Sequence, residues 1–176
     1  MDRRQVITID PGMAFGTGTH ATTRGCLEFI EQVAARFHGD SFTALDVGAG
    51  SGILSIGLAK LGAKEVWALD NDPVALQAAR KNLSANGVEN IVHLSATALN
   101  RLRKSFPLVV ANLTAETILA LSKALQKKVA PTGFLILSGI LKTKATLVIG
   151  HFADQGFRLL RRKAEKEWVT LLLRRK

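Results

Sequence analysis

Two hydrophobic periods alternate along the chain. Between residues 20 and 37, Cys26, Leu27, Ile30, Val33, Ala34 and Phe37 recur at helical spacing. Phe42 to Val47 is a short apolar run ending in glycines, the pattern of a buried strand. Ser51 to Leu61 reads as an apolar helix stopping near Gly62, and Glu65 to Asp70 as a second strand. Asp72 and Pro73 then supply an N-cap and a first helical residue for a helix carrying Ala75, Leu76, Ala79 and Leu83 to Asn86-Gly87. Strands follow at Ile91 to Leu94 and Leu108 to Ala111. Thr114 starts a helix striped by Ile118, Leu121, Leu125 and Val129, and Pro131 and Gly133 end it. Phe134 to Leu137 is a fifth strand, and Thr143 to Gln155 a helix closed by Gly156. Two strands, Phe157 to Arg161 and Trp168 to Leu173, finish the chain.

Strands alternating with helices imply a doubly wound, Rossmann-like α/β sheet. The last two strands are too close for a crossover helix and must pair as a hairpin, which brings an antiparallel strand into the sheet. A seven-stranded, mostly parallel sheet with that ending is the class I methyltransferase arrangement, in one domain of 176 residues.

The chemistry concentrates at strand ends. LDVGAGSG, residues 45 to 52, lies between a strand and a helix. Gly48 and Gly50 let backbone approach a ligand, and Gly52 allows close packing at the helix start. The spacing G-x-G-x-G differs from the dinucleotide fingerprint, whose third glycine position holds Ile53. Asp46 beside the loop disfavours a pyrophosphate and favours an ammonium group. Asp70, 20 residues after Gly50, ends the second strand, where an acid accepts hydrogen bonds from ribose hydroxyls. Ser95 or backbone near Ala96 would face the adenine. Asn112, at the tip of the fourth strand, would hold an amino group; otherwise it caps the helix that Thr114 begins.

The opening segment DPGMAFGTGTHATT, residues 10 to 23, is a glycine- and threonine-rich loop, suited to cover a ligand or simply to cap a helix. His20 in it reads as a capping or surface histidine. Cys26, the single cysteine, reads as a buried helix residue. No cluster suggests a metal. Twenty-four basic against 14 acidic side chains give a formal charge of +10, a balance that suits RNA or ribosome contact as well as simple solubility. The densest groups are Arg158, Arg161, Arg162 and Lys163, then Arg174, Arg175 and Lys176. Tyrosine is absent, so no base-stacking surface is indicated. No run is long enough for a membrane span and MDRRQVITID has no signal-like apolar core, so the expectation is a cytoplasmic enzyme.

PGMAFGTGTHATT, DVGAGSGILSI, ALDNDPVALQAARKN, VVANLTAE, LILSGIL and a late EWVTL together resemble the ribosomal protein L-11 methyltransferases, from Ile9 to Leu172. The resemblance implies an S-adenosylmethionine-dependent protein N-methyltransferase acting on lysine side-chain amines and the α-amino group of a ribosomal protein. It implies that Phe15, Thr17 and Gly18 shape the cofactor site, that Asp46, Gly48, Gly50 and Asp70 bind the cofactor, and that Asn112 borders both cofactor and acceptor. The family carries an upstream recognition domain, whereas this sequence starts at the catalytic domain, with residues 1–20 as a cofactor-covering loop. Pro107 and NLTAE also depart from the family pattern. The alternatives from the residues are an RNA methyltransferase, a small-molecule amine methyltransferase and a binding module without chemistry.

Overall fold

The computed structural model describes residues 5–10, 18–37 and 41–176. Seven strands form one sheet: β1 (Phe42–Val47), β2 (Ala63–Leu69), β3 (Val92–Ser95), β4 (Phe106–Asn112), β5 (Val129–Leu141), β6 (Phe157–Glu165) and β7 (Trp168–Arg175). Their spatial order is β3-β2-β1-β4-β5-β7-β6. The first five are mutually parallel, and β7 runs antiparallel to both neighbours, β5 and β6. This is the sheet the alternation and the closing hairpin predict. The order reverses between β1 and β4, so a crevice opens at their carboxyl ends, where open α/β sheets take ligands.

Helices α1 (Ala21–Ala34), α2 (Ile53–Lys60) and α3 (Pro73–Ala85) cover one face. Helices α4 (Ala115–Ala120), α5 (Ser122–Lys128) and α6 (Lys142–Asp154) cover the other. Leu108 to Ala111 of β4 are fully buried because both faces are roofed, which explains a run of apolar residues without alternation. Each buried leucine or valine in it contributes about 1.5–3 kcal/mol. Cys26 is buried with the core of the α1 face, and burial pushes its thiol up. Among the described residues no helix is long and apolar enough to cross a membrane.

Two expectations are corrected. The helix expected from Thr114 to Val129 is broken at Leu121, whose backbone flattens to φ −90°, ψ −1°. Hydrogen bonding runs on through the break, from Leu121 N to Thr117 O and from Leu125 N to Leu121 O. Val129, expected as the last residue of that apolar stripe, instead opens β5 opposite Phe106 of β4. Pro131 and Gly133 do not precede the strand. They lie in a bulge within it, Pro131 exposed and Gly133 buried, after which Phe134 resumes pairing with Leu108. The bulge tolerates a residue without an N–H.

A second irregularity in β5 falls between Leu137 and Ile140. Gly139 there has φ +80°, and a Cβ on it would stand 2.4 Å from the carbonyl oxygen of Leu113. Leu113 follows Asn112, so this close backbone approach sets the end of β4. Gly139→Ala is therefore expected to cost about 2–4 kcal/mol in urea unfolding, from left-handed strain and overpacking together.

Candidate functional site

The loop after β1 is tied down on three sides. Gly48 N and Ala49 N both donate to Leu69 O at the end of β2, at 2.8 and 3.0 Å. Gly50 N donates to Asp70 Oδ2 at 2.8 Å, and Asp72 N donates to Asp70 Oδ1 at 3.0 Å. Asn82 of α3 donates from Nδ2 to Ser51 O at 2.8 Å. Gly48, Gly50 and Gly52 all have positive φ (78°, 55° and 82°), a path that glycine follows without strain. Asp72 caps α3 through Val74 N, as its position before Pro73 predicts.

Two clefts meet above this loop. One, of about 310 Å³, is mostly apolar and lined by Leu69, Ala96 to Leu99, Leu113 and Leu121. The other, of about 420 Å³, runs past Ala49, Gly50 and Ile53 to Thr23 and Asn112. Gly48, Asp70, Asn71 and Leu113 line both. Among the described lining residues there are acids, Asp70 and Asp72, and no lysine or arginine. The crevice is thus locally acidic in a chain of charge +10.

Asp70 keeps a free lone pair on each oxygen after its two backbone hydrogen bonds, and it borders both clefts. Ser95 and Thr97 turn the chain at the end of β3, the Ser95 hydroxyl donating to Thr97 Oγ1 at 2.8 Å and accepting from Thr97 N at 3.1 Å. Ala96, rather than Ser95, lines the apolar cleft.

Asn112 closes the far end. Its Nδ2 donates to Thr22 Oγ1 at 3.3 Å, and the Thr22 hydroxyl lies 2.7 Å from His20 Nδ1. Thr22 N also donates to His20 Nδ1 at 3.4 Å, so that nitrogen accepts and the Thr22 hydroxyl donates to it. His20 is the N-cap of α1, as a histidine of this kind is expected to be, and its ring packs edge-on against Trp168. The network fixes the Asn112 amide with Oδ1 away from Thr22. That Oδ1 is buried without a partner among the described residues, and so is Thr23 Oγ1. Both residues line the larger cleft.

Thr23 is a cleft residue that the sequence reading did not single out. Its signal was available as the second of two threonines after the helix cap, but a threonine in an apolar helix is ordinarily packing. Asn82 was missed as well; besides holding Ser51 it accepts from Asp10 N at 3.0 Å, anchoring the segment that leads into the opening loop. Gly18 lies on the other side of that loop, where a Cβ would stand 3.1 Å from Ile53 Cδ1. Phe15 and Thr17 lie outside the described residues. No group of acids, histidines and cysteine that could hold a metal occurs among the described residues.

Asp46 stands below the loop, not in the cleft wall. It is fully buried, accepts from Ser55 Oγ at 2.6 Å through Oδ2, and leaves Oδ1 without a partner among the described residues. Burial raises its pKa to about 6, against the opposing Ser55 hydrogen bond, with a smaller upward push from Asp70.

A family model described as ribosomal protein L11 methyltransferase (PrmA) matches residues 1–176. The ribosomal protein L11 methyltransferase of Geotalea daltonii is 45% identical over 175 residues, covering 96% of this chain and 56% of the relative. The chain spans about half the length of the curated relatives it matches. The crystal structure of a ribosomal protein L11 methylase from Lactobacillus delbrueckii subsp. bulgaricus superposes with a TM-score of 0.89 at 34% identity, covering 98% of this chain and 86% of that one. A magnesium protoporphyrin IX methyltransferase from Synechocystis, crystallised with bound SAM, shares the fold at 20% identity and a TM-score of 0.70, over 92% of this chain and 88% of that one.

A carboxyl group whose folded pKa is raised binds its proton more tightly when folded. Its stabilising contribution is complete below the unfolded value near 3.8 and is lost as pH rises to about 6. The difference amounts to about 3 kcal/mol. Asp46→Asn is expected to remove this decline, so that chemical denaturation at pH 4 and pH 7 shows its gain over the natural protein at pH 7 only.

Proposed function

The chain belongs to the ribosomal protein L11 methyltransferase family, and from that premise we propose that it binds S-adenosylmethionine and methylates amino groups of ribosomal protein L11. The observation that carries this reading is the junction of an acid-lined adenosine-sized crevice with two buried, unpartnered oxygens, Asn112 Oδ1 and Thr23 Oγ1.

The residues present fit the cofactor. The apolar cleft between Leu99, Leu113 and Leu121 takes the adenine, and the free lone pairs of Asp70 take the ribose hydroxyls. The backbone of Gly48 to Gly50 lies beside the methionyl part. Asp46 acts through the loop floor, its charge favouring a cation above it. When bound, S-adenosylmethionine supplies a methyl group on a positively charged sulfur, open to in-line displacement. By the resemblance of the opening loop, Phe15, Thr17 and Gly18 shape the same site.

The acceptor pocket works by orientation. Asn112 Oδ1 and Thr23 Oγ1 each accept one N–H of an incoming amine, which leaves the nitrogen lone pair free to face the methyl group. The Thr22 and His20 hydrogen bonds keep the Asn112 amide from turning its NH₂ into the pocket. A hydroxyl acceptor would satisfy only one of the two oxygens. Positioning of this kind supplies several kcal/mol of a displacement barrier, up to about 7–11 in ideal cases.

The test is transfer of labelled methyl groups to ribosomal proteins and rRNA offered together, split afterwards by protease and nuclease. Label removed by protease alone, on L11, is the expected result; label removed by nuclease alone would sink the proposal. Asp70→Ala is expected to weaken cofactor binding by about 1–3 kcal/mol in calorimetry. Asn112→Ala and Thr23→Val are expected to slow turnover about 10–100-fold, or ~1.4–2.8 kcal/mol of barrier, with cofactor affinity nearly unchanged. Equal losses of both quantities would mark Asn112 as structural.

A further inference from the structure

The excess positive charge has a place in the fold. Among the described residues, Arg24, Lys104, Lys144 and Lys163 pair with carboxylates. The other lysines and arginines have no ion pair among the described residues; most, such as Arg80, Lys81, Arg101 and Arg103, are scattered, but the topology gathers Arg36, Arg158, Arg161 and Arg174 on one face. Leu172 of β7 belongs to the core beneath α1. Arg161 is paired with Leu172, Arg174 comes two residues later on the same face, and Arg158 is paired directly with Arg174. Cross-strand partners have Cβ atoms about 4.5–5.5 Å apart, and like charges placed so are destabilising. Arg36, just past the end of α1, joins them: its guanidinium and that of Arg174 both lie 5.6 Å from the centre of the Phe134 ring. Arg174 Nε donates to Thr132 O at 3.1 Å, which holds its fork in place. Between Arg36 and Arg174 lies a hollow of about 390 Å³, with no carboxylate among its described lining residues.

A charge on the edge strand β6 guards against edge-to-edge pairing, and Arg174 is held by Phe134 and Thr132, but setting Arg158 directly opposite Arg174 adds a repulsion that neither role requires. A polyanion laid along the pair offsets that repulsion. Guanidinium forks match phosphate oxygens in bidentate geometry, and a row running from the hollow along β6 fits a chain of phosphates better than a single one. The exposed large apolar side chain on β6 is Leu159 alone, too little for insertion into a lipid surface. The Phe134 ring is only 8% exposed, so it offers no stacking platform and no base preference. We propose that Arg36, Arg158, Arg161 and Arg174 form a docking seam for the phosphodiester backbone of RNA. The hollow adjoins Pro107 and Phe134, at the ends of β4 and β5 opposite the glycine loop. RNA held there is an anchor, not a methyl acceptor, and the seam stands whether or not the acceptor is L11.

The test uses the full chain and a fluorescent single-stranded RNA 20-mer of mixed sequence, titrated by anisotropy at several salt concentrations. Arg158→Gln with Arg161→Gln is expected to weaken binding about tenfold at low salt and to flatten the salt slope by about 1.4, or 0.7 for each phosphate no longer neutralised. Arg80→Gln with Lys81→Gln removes the same charge from α3, which packs against β3 at the other end of the sheet, and is expected to change affinity less than about twofold. Arg158→Gln alone separates docking from folding: relief of the like-charge pair is expected to raise the melting midpoint by about 1–3 °C while RNA binding falls. Equal weakening by the α3 variant would reduce the seam to diffuse charge. A lowered midpoint with unchanged RNA affinity would make Arg158 structural. Preference for phosphatidylserine vesicles over RNA, lost in the same variants, would assign the seam to a membrane instead. Any of these three outcomes overturns the proposal.

Discussion

The carboxylate of Asp70 is the joint on which the crevice depends. One oxygen holds Gly50 N of the loop after β1, and the other holds Asp72 N at the start of α3. Two crossovers that belong to different βα units are thereby fixed to one side chain, with Leu69 O just before it taking two further N–H groups of the loop. A glycine loop with three positive-φ residues has many conformations open to it when unfolded. The carboxylate selects one, and what remains of its hydrogen-bonding capacity faces the crevice. In the proposed site, structure and ligand recognition would draw on the same two oxygens, and a change at Asp70 alters loop geometry along with any ribose contact.

The electrostatics divide the molecule. Both clefts are bordered by acids, with a third carboxylate, Asp46, buried below. Arg158, Arg161 and Arg174, which have no carboxylate partner among the described residues, gather instead at the edge hairpin. Net charge alone suggested a polyanion partner and could not say where. The placement resolves the apparent conflict between a basic chain and a locally acidic crevice: the two lie in different parts of the sheet.

Much of this was legible in the sequence because it rests on local chemistry. Buried strands announced themselves as unbroken apolar runs, Asp72-Pro73 as a helix start, and the short gap before Trp168 as a hairpin. The glycine loop and Asp70 were legible for the same reason, since each sits at a strand end that its own neighbours define. What was not legible depends on packing between distant segments. The flattening at Leu121 leaves no breaker residue behind. Pro131 and Gly133 look like the gap before a strand, and only pairing with Phe106 shows that β5 has already begun. Asp46 carries the same motif signature whether it lines a cleft or lies under it. Thr23 becomes informative only when α1 is laid beside the tip of β4.

That last juxtaposition is made by small residues. Gly25 of α1 lets Thr170 of β7 come so near that a Cβ would stand 2.2 Å from its hydroxyl, and Thr170 in turn shares a 2.7 Å hydrogen bond with Ser138 of β5. Ser138 O accepts from Leu113 N, the residue after Asn112. A continuous path of close contacts thus runs from α1 through β7 and β5 to the end of β4. It sets the distance between Thr23 and Asn112, which lie 89 residues apart in sequence. Pockets for a small amine tolerate little slack, since misplacement by an ångström loses most of the benefit of orientation. Bulkier residues at Gly25, Ser138 or Gly139 would thicken this path and part the two oxygens without touching either. The spacing of Thr23 and Asn112 is in this sense a property of helix-to-sheet packing, and it rests as much on the absence of side chains along the path as on the two residues at its end.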